Sequence, residues 1–304
     1  MPTVSASPCR TGTARRPSRR GRPIASTSWR SGRALRSGTP ASSCAWHRLA
    51  ACTAGASRRQ GRMQQGRVDR QPAYVLHTQP YRETSLLVEV LTRDYGRFTL
   101  VARGARRPRS DLRGLLLPFQ PLQLAWFGKG ELRTLHTADW RGGVPQFAGA
   151  RLVTGFYLNE LVLRLAARDD PSPALFKLYD RAVRSLVDHA LTATVLRRFE
   201  LALLDELGYA PALTQDHLAQ PIVPQARYLC RFGAEPEPTD SEQAPRGAAN
   251  VSGATLLALA AADFEQPQTR REARLLLRLL LDELLGPEPL ASRELLTTLY
   301  ALSD

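Results

Sequence analysis

The hydrophobic period of this chain changes once, and that change constrains the fold more than any other feature. From Pro72 to about residue 140, apolar and polar residues alternate, which is the period of half-buried strands. Beyond Gly142, Gly143 and Pro145, apolar residues recur at the three-to-four spacing of helices. Strands first and helices afterwards predict an α+β chain.

The strand half reads as five short strands, at residues 73–79, 85–92, 97–103, 120–127 and 131–138. Asp94, Tyr95 and Gly96 form one turn, and Gly128, Lys129 and Gly130 form a hairpin connection. Five strands in so short a stretch suit a small closed or partly closed barrel, of which the OB-fold is the common nucleic-acid-binding form.

The helical half reads as helices over residues 149–167, 173–190, 195–207, 253–262, 269–285 and 292–301. Thr269 followed by Glu272 has the spacing of a capping box, and Gly208 is placed to end the third helix. Residues 209–250 are Pro-rich and read as an irregular insertion, with one short strand pair around 227–232.

Charge bears on function only once it is located. The 304 residues carry a net +14, but residues 1–62 hold 13 Arg and no Lys, Asp or Glu. The remaining 242 residues hold 29 basic and 28 acidic side chains. A case for nucleic acid must therefore rest on local clustering rather than on the isoelectric point.

Residues 1–62 lack hydrophobic periodicity and read as a disordered Arg/Ser-rich extension. Three readings fit them: an organellar transit peptide, a basic arm on phosphates, or an extension upstream of a true start near Met63. The abrupt change of character after Met63 favours the third. Cys44, His47 and Cys52 match no zinc spacing and read as chance.

One local cluster does stand out. Residues 103–113 contain Arg103, Arg106, Arg107, Arg109 and Arg113, with Gly104 and Pro108 keeping the segment irregular. Guanidinium groups on such a loop suit paired bonds to phosphate oxygens. Arg82, Arg93 and Arg97 extend the patch. Tyr74, Tyr81, Tyr95, Phe98 and Trp126 are candidates for base stacking, with Phe98 and Trp126 better read as barrel core.

Catalytic and metal-binding signatures are missing. The helical half has no HExxH, Gly-rich phosphate loop, GxSxG or paired His and carboxylate, so the expectation is a binding protein and not an enzyme. The four cysteines, Cys9, Cys44, Cys52 and Cys230, form no disulfide framework, and a reducing compartment is expected. The apolar runs are too short and too broken for a membrane span.

Several segments together resemble the RecO family of bacterial recombination mediators. They are Tyr81-Arg82-Glu83-Thr84-Ser85-Leu86, then Val101 to Arg107 with Leu112-Arg113-Gly114 and Leu117-Pro118-Phe119. Tyr157 to Leu161, Leu196 to Leu201, Leu207-Gly208-Tyr209, Val251 to Ala254 and Ser292 to Leu295 follow in family order.

The resemblance implies an OB-fold domain over residues 63–143 and a helical domain over 144–304. It also implies binding and annealing of single- and double-stranded DNA, for which the basic loop and its surroundings offer Arg82, Arg97, Arg103, Arg106, Arg107, Arg109 and Arg113 as the DNA-binding set. Partnership with RecR, with or without RecF, is implied, as is docking on the acidic tail of single-strand-binding protein (SSB). The implied output is loading of RecA onto SSB-coated strands, in the bacterial cytoplasm at the nucleoid.

Arg197, with Arg198, looks like the tail-binding position; the alternative is an ion pair to Glu200 or Asp205. Some family members carry a four-cysteine zinc site near residues 225–250. Only Cys230 stands here, so a zinc-free chain without cofactors is expected. Two rivals remain: a generic OB-fold protein for single-stranded nucleic acid without a mediator role, and an organellar protein with a cleaved presequence.

Overall fold

A computed structural model describes residues 66–187, 192–241 and 243–301 of the chain. The expectations for residues 1–62, the cluster of Cys44, His47 and Cys52 among them, lie outside the described residues. So does the last stretch expected of the second helix, residues 188–190.

Alternating apolar residues build five strands: β1 (Arg67–Tyr81), β2 (Ser85–Thr92), β3 (Gly96–Ala102), β4 (Leu122–Phe127) and β5 (Leu132–Trp140). They close into a barrel in the order β1-β2-β3-β5-β4, with β3 parallel to β5 and the other pairs antiparallel. This is the OB-fold expected from the sequence. Val75, Val88, Leu100, Leu124 and Trp126 fill its core.

β1 is longer than expected and starts before Pro72. Its first half pairs with β4 and its second half with β2, with bulges between Val68 and Gln71 and between Val75 and His77. Bulges bend a strand, and here they let one strand serve both neighbours and close the barrel.

The helical part contains α2 (Gly149–Leu165), α3 (Pro173–Ser185) and α4 (Thr192–Glu206), followed by α5 (Gly253–Ala260), α6 (Pro267–Leu285) and α7 (Ala291–Ala301). Ser172 caps α3 by accepting from Leu175 N, and Pro173 fills a first-turn position where no N–H is needed. α2 is apolar on most sides and runs through the helical core, with Leu158, Leu161 and Val162 inaccessible.

Two details of the helical half differ from expectation. The region after α4 holds β6 (Arg227–Arg231), β7 (Glu237–Thr239) and β8 (Ala248–Ser252), a three-stranded sheet in the order β7-β6-β8, where one strand pair was expected. α6 begins at Pro267, so Thr269 lies within the helix and does not cap it. Glu272 turns instead to β8 and α5, accepting from Ser252 N, Ser252 Oγ and Thr255 Oγ1.

Outward residues of the barrel join the core of the helices. Ala73 and Val75 point into the barrel, while Tyr74 and Leu76 point outward into the cluster formed by the helices. Tyr74 packs edge-on against Tyr179, with ring centroids 5.0 Å apart, and donates its hydroxyl to Asp180 at 2.6 Å. Burial, then the Asp180 carboxylate beside it, pushes this phenol above its ordinary range.

Candidate nucleic-acid interface

Which part of the barrel is open is decided by the chain that follows α2. The outward residues of β3 are Arg97, Thr99, Val101 and, just beyond the strand, Arg103. Residues 166–170 lie over the first two of them. Arg97 donates through Nε and Nη2 to the Ala166 carbonyl at 3.1 and 3.0 Å, and Asp169 N donates to the Arg97 carbonyl at 2.8 Å. Arg168 reaches Glu89 at 2.6 Å and also meets Thr99, and Arg133 meets Asp169 at 2.5 Å. The β2–β3 face, a common ligand face of OB-folds, is thus covered at this end by the protein's own chain.

The other end of the face is open. A groove of about 520 Å³ runs between the β1–β2 turn, the end of β3 and the start of β5. Tyr81, Arg82, Thr84 and Ser85 form one wall, Val101, Arg103, Gly104 and Arg107 the second, and Leu132 and Thr134 the floor beside β5. The loop is held by backbone bonds. Arg106 N donates to the Thr84 carbonyl at 2.9 Å and Arg107 N to the Gly104 carbonyl at 3.0 Å, with Gly104 at φ +70°. Ala105 anchors the loop in the barrel core, which turns the neighbouring arginines outward.

Six of the seven arginines proposed from the sequence, Arg82, Arg103, Arg106, Arg107, Arg109 and Arg113, are exposed around this groove and loop. None takes part in any ion pair among the described residues. Arg82 lies 5.2 Å over the Tyr81 ring, and Arg106 donates to the Arg82 carbonyl at 3.3 Å. Guanidinium groups without counter-ions, this close together, produce a field attractive to phosphate.

Arg97 is not brought to the groove. Its side chain is 11% exposed and paired with Glu89, because it fastens the barrel to residues 166–169. Arg93 pairs with Asp94 in the β2–β3 turn. The loop also departs from the irregular structure expected, since residues Leu112–Leu115 form a single helical turn, α1.

The aromatic candidates separate in the same way. Only Tyr81 lines the groove. Phe98 and Trp126 are core, with Tyr95 edge-on to Trp126 at 5.2 Å, and Tyr74 faces the helices. Sequence reasoning missed Phe127, which is 40% exposed with His136 at 4.8 Å between ring centroids. Strand alternation held the signal, because Phe127 is the outward residue after Trp126.

Arg197 and Arg198 lie on α4. Arg197 Nη2 donates to Glu200 Oε1 at 2.9 Å, and Nη1 stands 2.9 Å from Oε2 at an angle that makes no hydrogen bond. Tyr157 also donates to Glu200, at 2.7 Å. Burial raises the Glu200 carboxyl above its ordinary range, and Arg197 opposes the shift most strongly. Arg197 is therefore committed inward, whereas Arg198 is exposed and reaches the Ala262 carbonyl at 3.3 Å. Cys230 is buried, and burial alone pushes its thiol up to about 12, so it stays protonated and is a poor ligand.

Two family descriptions match the barrel and the helical part in turn. "Recombination protein O N terminal" matches residues 63–143, and "Recombination protein O C terminal" matches residues 146–294. The chain belongs to the RecO family. Proteins named "DNA repair protein RecO" are similar to it along most of their length. The one from Chromobacterium violaceum is 62% identical over 243 residues, covering 79% of this chain and 99% of its own. Those from Laribacter hongkongensis and Aromatoleum aromaticum are 52% and 48% identical, again over 79% of this chain and 99% of theirs. Membership in the RecO family agrees with the barrel-then-helices order, and the arginine loop lies within the part matched by the N-terminal description. No helix among the described residues is long and apolar enough to cross a membrane.

Proposed function

We propose that this chain is a DNA repair and recombination mediator that binds DNA and carries out no chemical step. Residues 63–143 are the DNA-binding domain, and residues 144–304 are the scaffold and docking domain. It binds single- and double-stranded DNA, anneals complementary strands and, with RecR, helps load RecA onto strands coated by SSB. It works on DNA in the bacterial cytoplasm at the nucleoid. Family membership supports the repair role. The observation that carries the DNA-binding reading is the open groove beside a loop whose arginines form no ion pair among the described residues.

The residues proposed to hold phosphate are Arg82, Arg103, Arg106, Arg107, Arg109 and Arg113. Phosphate contacts carry no sequence information, so binding is non-specific and weakens steeply with salt. Partial neutralisation of two backbones also lowers the repulsion that opposes annealing.

A second reading, binding of single strands without a mediator role, draws on one observation: Arg197, the proposed tail-binding position, is committed to Glu200.

The test is a salt titration of binding to single-stranded and duplex oligonucleotides by the whole chain and by a variant with Arg106, Arg107 and Arg109 changed to Ala. The variant binds both more weakly, and its log–log salt slope on single strands is shallower by about 0.7 for each phosphate that is no longer neutralised. Unchanged affinity and slope would sink the assignment.

A further inference from the structure

The groove does not end at Thr134. In β5, Thr134 pairs with Val101 of β3 on one side and with Phe127 of β4 on the other, and Phe127 pairs in turn with Arg67 of β1. Directly paired residues point to the same face of a sheet. Arg67, Phe127, Thr134 and Val101 therefore form one cross-strand row on the outside of the barrel. Val101 and Thr134 already line the arginine groove. Strands are about 4.8 Å apart, so Phe127 lies about 10 Å from Val101 around the barrel.

The far end of this row has its own chemistry. The Phe127 ring is 40% exposed, on a strand whose other aromatic, Trp126, is fully buried. The exposed His136 ring tilts against it at 57°, and the Arg67 guanidinium, paired with Asp69 at 2.7 Å, lies 5.5 Å from its centroid. Gly128, Lys129 and Gly130 beside it are all exposed. An exposed aromatic surface joined to a phosphate-binding groove is what a single strand requires, because backbone contacts and base stacking then alternate along one track. A duplex keeps its base faces inside the stack and offers nothing for such a surface.

We propose that Phe127 and His136 form a stacking platform for an unpaired base of single-stranded DNA whose backbone lies in the arginine groove. The proposal rests on the DNA-binding reading above and extends it. The arginines hold either form of DNA, and the platform adds affinity only for a strand with free bases. Such a strand is held with its base displayed at the barrel surface while the backbone charge is screened.

The experiment uses the whole chain with three fluorescent ligands: oligo-dT, an abasic strand of equal length, and a duplex. F127A is expected to bind oligo-dT roughly tenfold more weakly, within the range of one aromatic–base stack. Its affinity for the abasic strand and the duplex changes less than twofold, and its salt slope is unchanged. F127W restores oligo-dT binding, and H136A gives a smaller loss confined to oligo-dT. Full oligo-dT affinity in both F127A and H136A overturns the platform, as does an equal loss on all three ligands. The groove reading fails separately, and only if the Arg106, Arg107 and Arg109 variant keeps its affinity for the abasic strand and the duplex.

Discussion

Asn159 of α2 donates its side-chain amide to the main-chain carbonyl of Leu76 in β1 at 2.7 Å. The bond exists because of the bulge between Val75 and His77, which leaves Leu76 without a ladder partner on β2. A buried carbonyl without a partner is costly, and the helix supplies one. Tyr179 of α3 donates to Asn159 Oδ1, so strand and two helices meet at a single amide.

Asn159→Ala is therefore expected to cost about 1–3 kcal/mol, the usual penalty for stranding buried polar groups. The readout is the midpoint of denaturant unfolding. Binding to oligo-dT should be unchanged, because the amide is remote from the arginine groove. A midpoint within error of the parent would refute the joint.

Glu272 predicts a pH dependence. Burial by itself would raise its pKa, but hydrogen bonds from Thr255, Ser252 and Gln268 outweigh burial and hold it at about 2, below the ordinary 4.5. The carboxyl is more acidic folded than unfolded, so ionisation favours the folded state. That contribution is complete above about pH 4.5 and is lost as pH falls toward 2. Glu272→Gln should weaken the fold near neutral pH and make the acid limb of the stability curve shallower. An acid limb parallel to the parent's would contradict the assignment.

Much of the architecture could be read from the sequence, for reasons visible in single residues. The alternation in residues 85–92 and 97–103 has no competing pattern, and the strands formed there. Gly104 and Pro108 marked the arginine loop correctly. What failed depended on partners distant in the chain. Thr269 and Glu272 have capping-box spacing, yet Glu272 meets Ser252 and Thr255, which sequence spacing cannot reveal. Arg97 looked like part of a basic patch because Ala166 and Glu89, which hold it, are 69 and 8 residues away. Phe127 was passed over because a hydrophobic residue at a strand end reads as core until the barrel fixes which face is outside.

Gly96 marks where residues 166–170 cross the barrel. Its φ is +68°, and a Cβ there would run into the Asp170 carbonyl. Gly96→Ala combines left-handed backbone strain with displacement of the crossing, and should cost about 2–4 kcal/mol. Gly114 has open space around it, so Gly114→Ala should stay within about 0.5 kcal/mol. Thermal unfolding of the pair separates the two cases, and equal melting temperatures would mean that the crossing does not constrain the barrel.

Arg197 and Arg198 are adjacent in sequence and differ in role, which makes them a test of the proposed tail docking. Arg197→Ala leaves Glu200, 1% exposed, without its counter-ion, and should destabilise the fold by about 3–5 kcal/mol, as breaking buried pairs does. Arg198→Ala touches an exposed side chain and should change stability by less than about 0.5 kcal/mol. Affinity for the acidic SSB tail peptide should nevertheless fall several-fold in Arg198→Ala, because that cation is the one of the two open to a carboxylate. Isothermal titration of the peptide, with unfolding curves on the same samples, distinguishes the outcomes. Full peptide affinity in Arg198→Ala would remove tail docking from this face of α4 and favour single-strand binding without a mediator role.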